Sequence, residues 1–198
     1  VQAVLDEGLV AHVAFVVDGL PQVLPMLYVR LEDAVYLHGS TGSHIGRLTL
    51  RNGRLAIAAE VTLFDEMVLA RSTFNHSVNY RTVVVHGSAV ALSDADRKAE
   101  VLAAMVERLV PGRGADARPP SREELRQTAV LEVPLEEVSA KSRSGDPSDE
   151  EADLPLACFA GVRPLVSSWG PVRPAADLPP GIEVPSYLAE GRRGALSV

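Results

Sequence analysis

The chain has 198 residues, 46% of them hydrophobic and 23% charged, with a formal net charge of −7. This is the composition of one globular domain, which argues against disorder over most of the chain, and the acidic balance gives no support to global attraction to nucleic acid or anionic membranes. The single cysteine, Cys158, excludes an internal disulfide and a cysteine-built zinc site.

Val1 to Gly8 reads as a short helix with Val1, Val4 and Leu5 on one face and Gly8 as its stop. Leu9 to Val17, rich in Val and Ala, reads as a buried strand. Asp18-Gly19 is a hairpin turn signal, since both residue types tolerate positive φ. Gln22 to Arg30 is the second strand, Glu32-Asp33 the next turn, and Ala34 to His38 the third strand. A small, polar loop follows at Gly39-Ser40-Thr41-Gly42-Ser43, then a helix with Ile45, Leu48 and Thr49 on one side. Arg54 to Val61 and Leu63 to Ala70 read as two strands, Arg71 to Asn79 as a polar loop, and Tyr80 to Leu92 as a long β-branched strand.

Ser93 opens a helix as an acidic capping box with Asp96, and Leu102, Met105, Val106 and Leu109 form its apolar stripe. Pro111-Gly112 ends it. Ser121 and Glu124 make a second capping box, on a short helix. Ala129 to Val138 reads as a strand with Pro134 at an edge or bulge. Asp146 to Asp153 holds five carboxylates and reads as a solvated loop, and seven of the fourteen prolines lie from Pro155 onward. Residues 1–165 therefore form one domain, and 166–198 a Pro-rich extended segment. The two-residue turns make neighbouring strands antiparallel, and most joins are too short for a crossover helix. The fold class is mainly β: an antiparallel barrel with helices at its mouth.

Three polar stretches carry candidate chemistry. The first is Tyr36 to Leu50, where a strand ends at His38 and a loop enters a helix; it reads either as a plain capped helix after a turn or as backbone N–H groups, hydroxyls and positive charge offered to an anion such as phosphate. It lacks the Gly-Lys-Ser/Thr core of a P-loop and the glycine spacing of a dinucleotide fold. The second is Arg71 to Arg81, a donor-rich connection between apolar strands. The third is Ser139-Ala140-Lys141-Ser142-Arg143. Lys141 is one of only two lysines in the chain. His12 and His86 lie in apolar strands and read as core or interface residues, and Cys158, among Leu156, Ala157 and Phe159, as an inert buried thiol.

In their order and wording these stretches resemble the flavin-nucleotide-binding branch of the pyridoxamine 5′-phosphate oxidase-like family. The resemblance is carried by Leu9 to Gly19, Pro25-Met26-Leu27-Tyr28, Leu37-His38-Gly39-Ser40-Thr41-Gly42-Ser43, Ala70-Arg71-Ser72, His76 to Val85, Pro111-Gly112-Arg113, Arg118-Pro119-Pro120 and Val138 to Gly145. It runs from about Val4 to Pro164. It implies a split β-barrel, a homodimer and FMN at the dimer interface. Met26, Leu27 and Tyr28 would lie beside the flavin. His38, Gly39, Ser40, Thr41, Ser43 and His44 would hold flavin and phosphate. Tyr80, Arg81 and Thr82 would close one side, with Lys141 and Arg143 completing the site from the partner. The paired basic side chains of the true oxidases are not evident after Gly42, so hydroxyls, His44 and Arg47 take their place.

The implied activity is FMN-dependent oxidoreduction of a small molecule in a cytoplasmic protein, with hydride transfer at the flavin and no dedicated base. The alternatives are a non-catalytic flavin-binding or sensor module, and a haem or deazaflavin binder on the same fold. In the haem reading, His38 or His76 would be the axial ligand. No metal site, nucleic-acid partner or membrane partner is expected.

Overall fold

A computed structural model describes residues 1–189. Eight strands form one antiparallel sheet around two apolar clusters. In chain order the elements are α1 (Gln2–Glu7), β1 (Val10–Val17), β2 (Leu20–Leu31), β3 (Ala34–Ser40), α2 (His44–Asn52), β4 (Arg54–Leu69), β5 (Ser77–Ala91), α3 (Ala95–Leu109), α4 (Arg113–Asp116), α5 (Arg122–Gln127), β6 (Thr128–Pro134), β7 (Glu137–Arg143), β8 (Gly161–Pro164) and α6 (Ser186–Ala189). The sheet order is β7-β5-β6-β3-β2-β1-β4-β8, and an added β5–β4 pairing closes the central strands into a barrel.

The barrel is split along β5. One edge of β5 runs the length of β4, while its other edge meets β7 from Tyr80 to His86 and β6 only at Val90 and Ala91. Side chains alternate across each strand, so every strand presents two faces. On β5, Asn79, Val83, Val85 and Ala89 are buried. Tyr80, Thr82, Val84 and His86 occupy the opposite face. On β2, Met26 and Tyr28 are buried while Leu27 between them is exposed.

The sequence reading splits Arg54 to Ala70 into two strands. The structure has one 16-residue strand, because Thr62 pairs with Thr82 without interruption. The irregularity falls later, as a bulge between Phe64 and Glu66. The expected strand Ala129 to Val138 is instead two. β6 ends at Pro134, which has no N–H to extend the ladder, and the chain turns into β7, so Ser139 to Arg143 is strand. The N-cap of α3 is Asp94, one residue after the predicted Ser93, and its carboxylate accepts from Asp96 N–H. The Ser121/Glu124 capping box is present as read. Cys158 is exposed, not buried. His12 and His86 are also off the core, on the barrel's outer face.

Gly8 has an extended φ of −68° rather than a left-handed stop. Its small size is what the fold uses, since a Cβ there would overlap Val61 Cγ1 and lie 2.9 Å from the Tyr28 hydroxyl. That hydroxyl donates to Leu5 O at 2.7 Å, tying α1 to the barrel, and the Arg108 guanidinium stacks 5.1 Å from the Tyr28 ring centroid. Burial pushes the Tyr28 phenol up to about 12, against an opposing pull from Arg108. A raised folded-state pKa stabilises the fold fully below the unfolded value of about 10, and that stabilisation is lost as pH rises to about 12. Alkaline unfolding is therefore expected to steepen across that window by an amount on the order of 2 kcal/mol. Tyr28→Phe removes the steepening, as chemical denaturation at stepped pH would show.

Candidate functional site

The first group of predicted residues meets at the end of β3. Ser43 caps α2, accepting from Gly46 N–H at 3.1 Å and donating to Ser40 O at 2.7 Å. Ser40 Oγ accepts from Gly42 N–H, and Thr41 N–H and Oγ1 both donate to Gln127 O. The loop hydroxyls thus hold the loop together. The N–H groups of His44 and Ile45, in the first turn, have no intrahelical partner. Gly46 lets α2 press onto this loop, because a Cβ there would sit 2.5 Å from Ser40 O.

Beside that turn lies a groove of about 630 Å³ lined by Val17, Asp18, Thr41, His44, Arg47, Leu48, Leu50 and Arg51. Arg47 spends one N–H on Gly42 O at 2.8 Å and keeps the rest of its fork. Two guanidinium groups, an imidazole and a helix N-terminus converge on a groove with apolar walls. That donor set fits a phosphate attached to a larger apolar body. Arg51 was not singled out in the sequence. The signal was there, since it lies four residues after Arg47 and so on the same helix face.

The second group lies on the outer face of the β4–β5–β7 ladder. Thr82 pairs with Lys141 and Tyr80 with Arg143, and Lys141 Nζ stands 5.8 Å from the Tyr80 ring centroid. Lys141 is exposed and makes no ion pair among the described residues. Thr82 Oγ1 lies 2.7 Å from Thr62 Oγ1 and 3.0 Å from Glu60 Oε1, and Glu60 in turn lies 3.3 Å from His12 Nδ1. Leu27 lies on this face too, through its pairing with Val10 on β1.

The remaining predicted residues point elsewhere. Tyr28 is committed to Leu5 as described, and Met26 lies inside the barrel, with its Cε 3.8 Å from the place a Gly39 Cβ would take. Arg81 grips Glu7 and Asp65 with paired hydrogen bonds, which leaves little of it for a ligand and holds its charged state more firmly than usual. His38 continues the Ala34–Tyr36 face, which packs beneath α3, and burial lowers its pKa. Arg143 donates to the buried Asn79 carboxamide.

The two groups stand apart within one chain. Arg54, just after α2, and Phe64, opposite Tyr80, are ten residues apart on β4, roughly 30 Å of strand.

A third feature is the loop between β4 and β5. His76 Nδ1 lies 2.8 Å from Ser72 O. That contact makes Nδ1 the protonated nitrogen and leaves the Nε2 lone pair free. Phe74 in the same loop is 91% exposed, and Met67 and Val78, cross-strand partners at the loop's base, are exposed as well. An imidazole with a ring nitrogen unpaired among the described residues, on a loop with exposed apolar side chains, can ligate a metal or a haem iron. No group of three or more His, Cys, Asp or Glu capable of holding a metal ion occurs among the described residues. None of the described helices is long and apolar enough to cross a membrane.

The chain is thus an antiparallel split barrel with a groove beside a helix N-terminus. Residues 1–142 match the family model described as pyridoxamine 5′-phosphate oxidase, and the chain belongs to that family. No curated protein matches it. Among solved structures it is similar to the flavocytochrome Anf3 from Azotobacter vinelandii, with 35% identity and a TM-score of 0.88 over 98% of this chain and 89% of that one. It is also similar to an FAD- and haem-binding protein from Mycobacterium smegmatis, with 34% identity and a TM-score of 0.85 over 94% of this chain and 90% of that one. A Bacteroides thetaiotaomicron protein described as a putative 5-nitroimidazole antibiotic resistance protein shares the fold at 18% identity, with a TM-score of 0.56 over 70% of this chain and 80% of that one.

Proposed function

We propose that this chain is a redox protein that binds a flavin nucleotide and a haem, and that it works as a homodimer. The observation that carries the reading is His76, whose Nε2 is free on an apolar surface in a chain that resembles two haem-binding flavoproteins over nearly its whole length. A bound flavin supplies hydride and single-electron chemistry, and a haem supplies single-electron chemistry.

The residues of this chain bind and orient. His44, Arg47 and Arg51 take the flavin phosphate, a group that FMN and FAD both present. Lys141 offers a donor to the flavin ring from the β5–β7 face, and a positive group there favours a reduced, anionic ring. The groove lies toward the open end of the β4–β5 hairpin and the Thr82–Lys141 pair at its middle, and a second copy would bring both sets to one flavin.

The purified protein is expected to show a Soret band and flavin absorbance together. Mass spectrometry of the released flavin separates FMN from FAD. A colourless protein that takes up neither hemin nor flavin would overturn the reading. Arg47→Ala is expected to weaken flavin binding about tenfold or more, since hydrogen bonds to charged groups are worth about 1.5–3 kcal/mol. Fluorescence titration of the flavin-free protein measures this, and the Soret band should be unchanged.

A further inference from the structure

The acidic stretch Asp146 to Asp153 does more than face solvent. The Asp149 side chain is only 2% exposed. Its Oδ1 accepts from the Arg71 backbone N–H at 2.7 Å, and its Oδ2 accepts from the Arg71 guanidinium at 2.7 Å. One carboxylate thus closes a bidentate clamp on the first residue of the loop that holds His76. Ser72, the next residue, supplies the carbonyl that fixes His76 Nδ1 and also the hydroxyl that accepts from Asn75 N–H. A second anchor lies upstream of Asp149, where the buried Asn79 carboxamide donates to Gly145 O at 3.0 Å. The segment 145–149 is therefore strapped across the loop from both of its ends.

The clamp is also electrostatic. Burial opposes ionisation of Asp149, but the Arg71 N–H and guanidinium outweigh it, and the nearby His76 adds to the same effect, so the carboxyl is held below its ordinary value. A fixed negative charge therefore sits near the imidazole, on the same loop framework that aims it.

We propose that Asp149 is a positioning residue for His76: by clamping Arg71 it fixes the Ser72 carbonyl that holds Nδ1, and so sets the direction and electron-donating strength of Nε2 toward a haem iron. This rests on the haem reading of His76. Outer partners that orient a ligating histidine commonly contribute about 10–100-fold to affinity. A negative charge near a haem favours the ferric state, so its removal raises the midpoint potential.

The test compares holoprotein carrying Asp149→Asn with wild type and with Glu150→Gln, an exposed neighbour on the same strap. Haem transfer to excess apomyoglobin is expected to be about tenfold faster in Asp149→Asn, with a higher midpoint potential. Glu150→Gln is expected to match wild type in both. Asp149→Glu, which keeps the charge, is expected to restore the potential. If Asp149→Asn does not fold, Arg71→Gln breaks the same clamp from its other side and should also release haem faster. Wild-type potential and release in a folded clamp variant would overturn the proposal while leaving the haem reading intact. A wild-type protein that binds no haem, or a Soret band that survives His76→Ala, would overturn both.

Discussion

Replacing His76 by Ala is expected to abolish the Soret band and leave flavin absorbance in place. The effect should be all or none because one nitrogen carries it. The Ser72 carbonyl takes Nδ1, so Nε2 is the donor available to iron. His38 is half-buried on β3 and His44 lies in the groove beside α2, so neither is on the loop that carries His76. The loop itself should survive the change, since Asn75 N–H to Ser72 Oγ and the Arg71–Asp149 clamp do not involve the ring. Adding imidazole to the variant together with hemin should restore a Soret band, because the missing side chain leaves the space its ring filled. A variant with the wild-type Soret band would place the iron ligand elsewhere. The reciprocal control is His44→Ala, which should weaken flavin binding and leave the haem spectrum alone.

What was legible in the sequence follows the range of the interactions concerned. The turn at Asp18-Gly19 was legible because a positive φ selects its residues locally, and both Asp18 and Gly19 adopt one. The Ser121/Glu124 box was legible for the same reason, since both partners lie within four residues. The loop entering α2 was legible as a capped helix start because hydroxyls, glycines and the first turn are contiguous. The division of residues between faces was not. Met26, Leu27 and Tyr28 form one motif, yet a strand sends Leu27 outward and its two neighbours inward. Tyr80, Arg81 and Thr82 divide in the same way, with Arg81 spent on Glu7 and Asp65. Family wording marks a strand that passes a site, and pleating decides which of its residues reach it. Asp149 was the least legible of all. Its partner lies 78 positions away, and five carboxylates together read as a solvated run until the fold buries one of them.

Ala58→Arg is expected to convert a dimer into a folded monomer and to remove most flavin binding with it. The outer face of β2, β1, β4 and β5 is unusually apolar for a surface open to water. Val10, Val16, Val23, Leu27, Phe64 and Val78 are all substantially exposed there. Exposed apolar side chains gathered on one sheet face, here interrupted by the His12–Glu60 and Thr62–Thr82 pairs, mark an interaction surface. Its middle is low and smooth: Ala14 on β1 pairs with Ala58 on β4, which pairs with His86 on β5. Small side chains at a centre ringed by larger ones allow two copies of the face to approach closely, and an isologous interface presents the same patch from both. Arg at position 58 puts a long charged stem into that centre twice per dimer. In the monomer the same substitution is a surface change, worth within about 0.5 kcal/mol of stability. The melting temperature at low protein concentration should therefore hold while light scattering reports half the mass. Flavin should be lost because Lys141 sits on this face while Arg47 and Arg51 sit on α2, beyond the start of β4, and the proposed dimer is what joins them. An Ala58→Arg protein that stays dimeric, or a monomer that binds flavin as tightly as wild type, would show that one chain holds its flavin unaided.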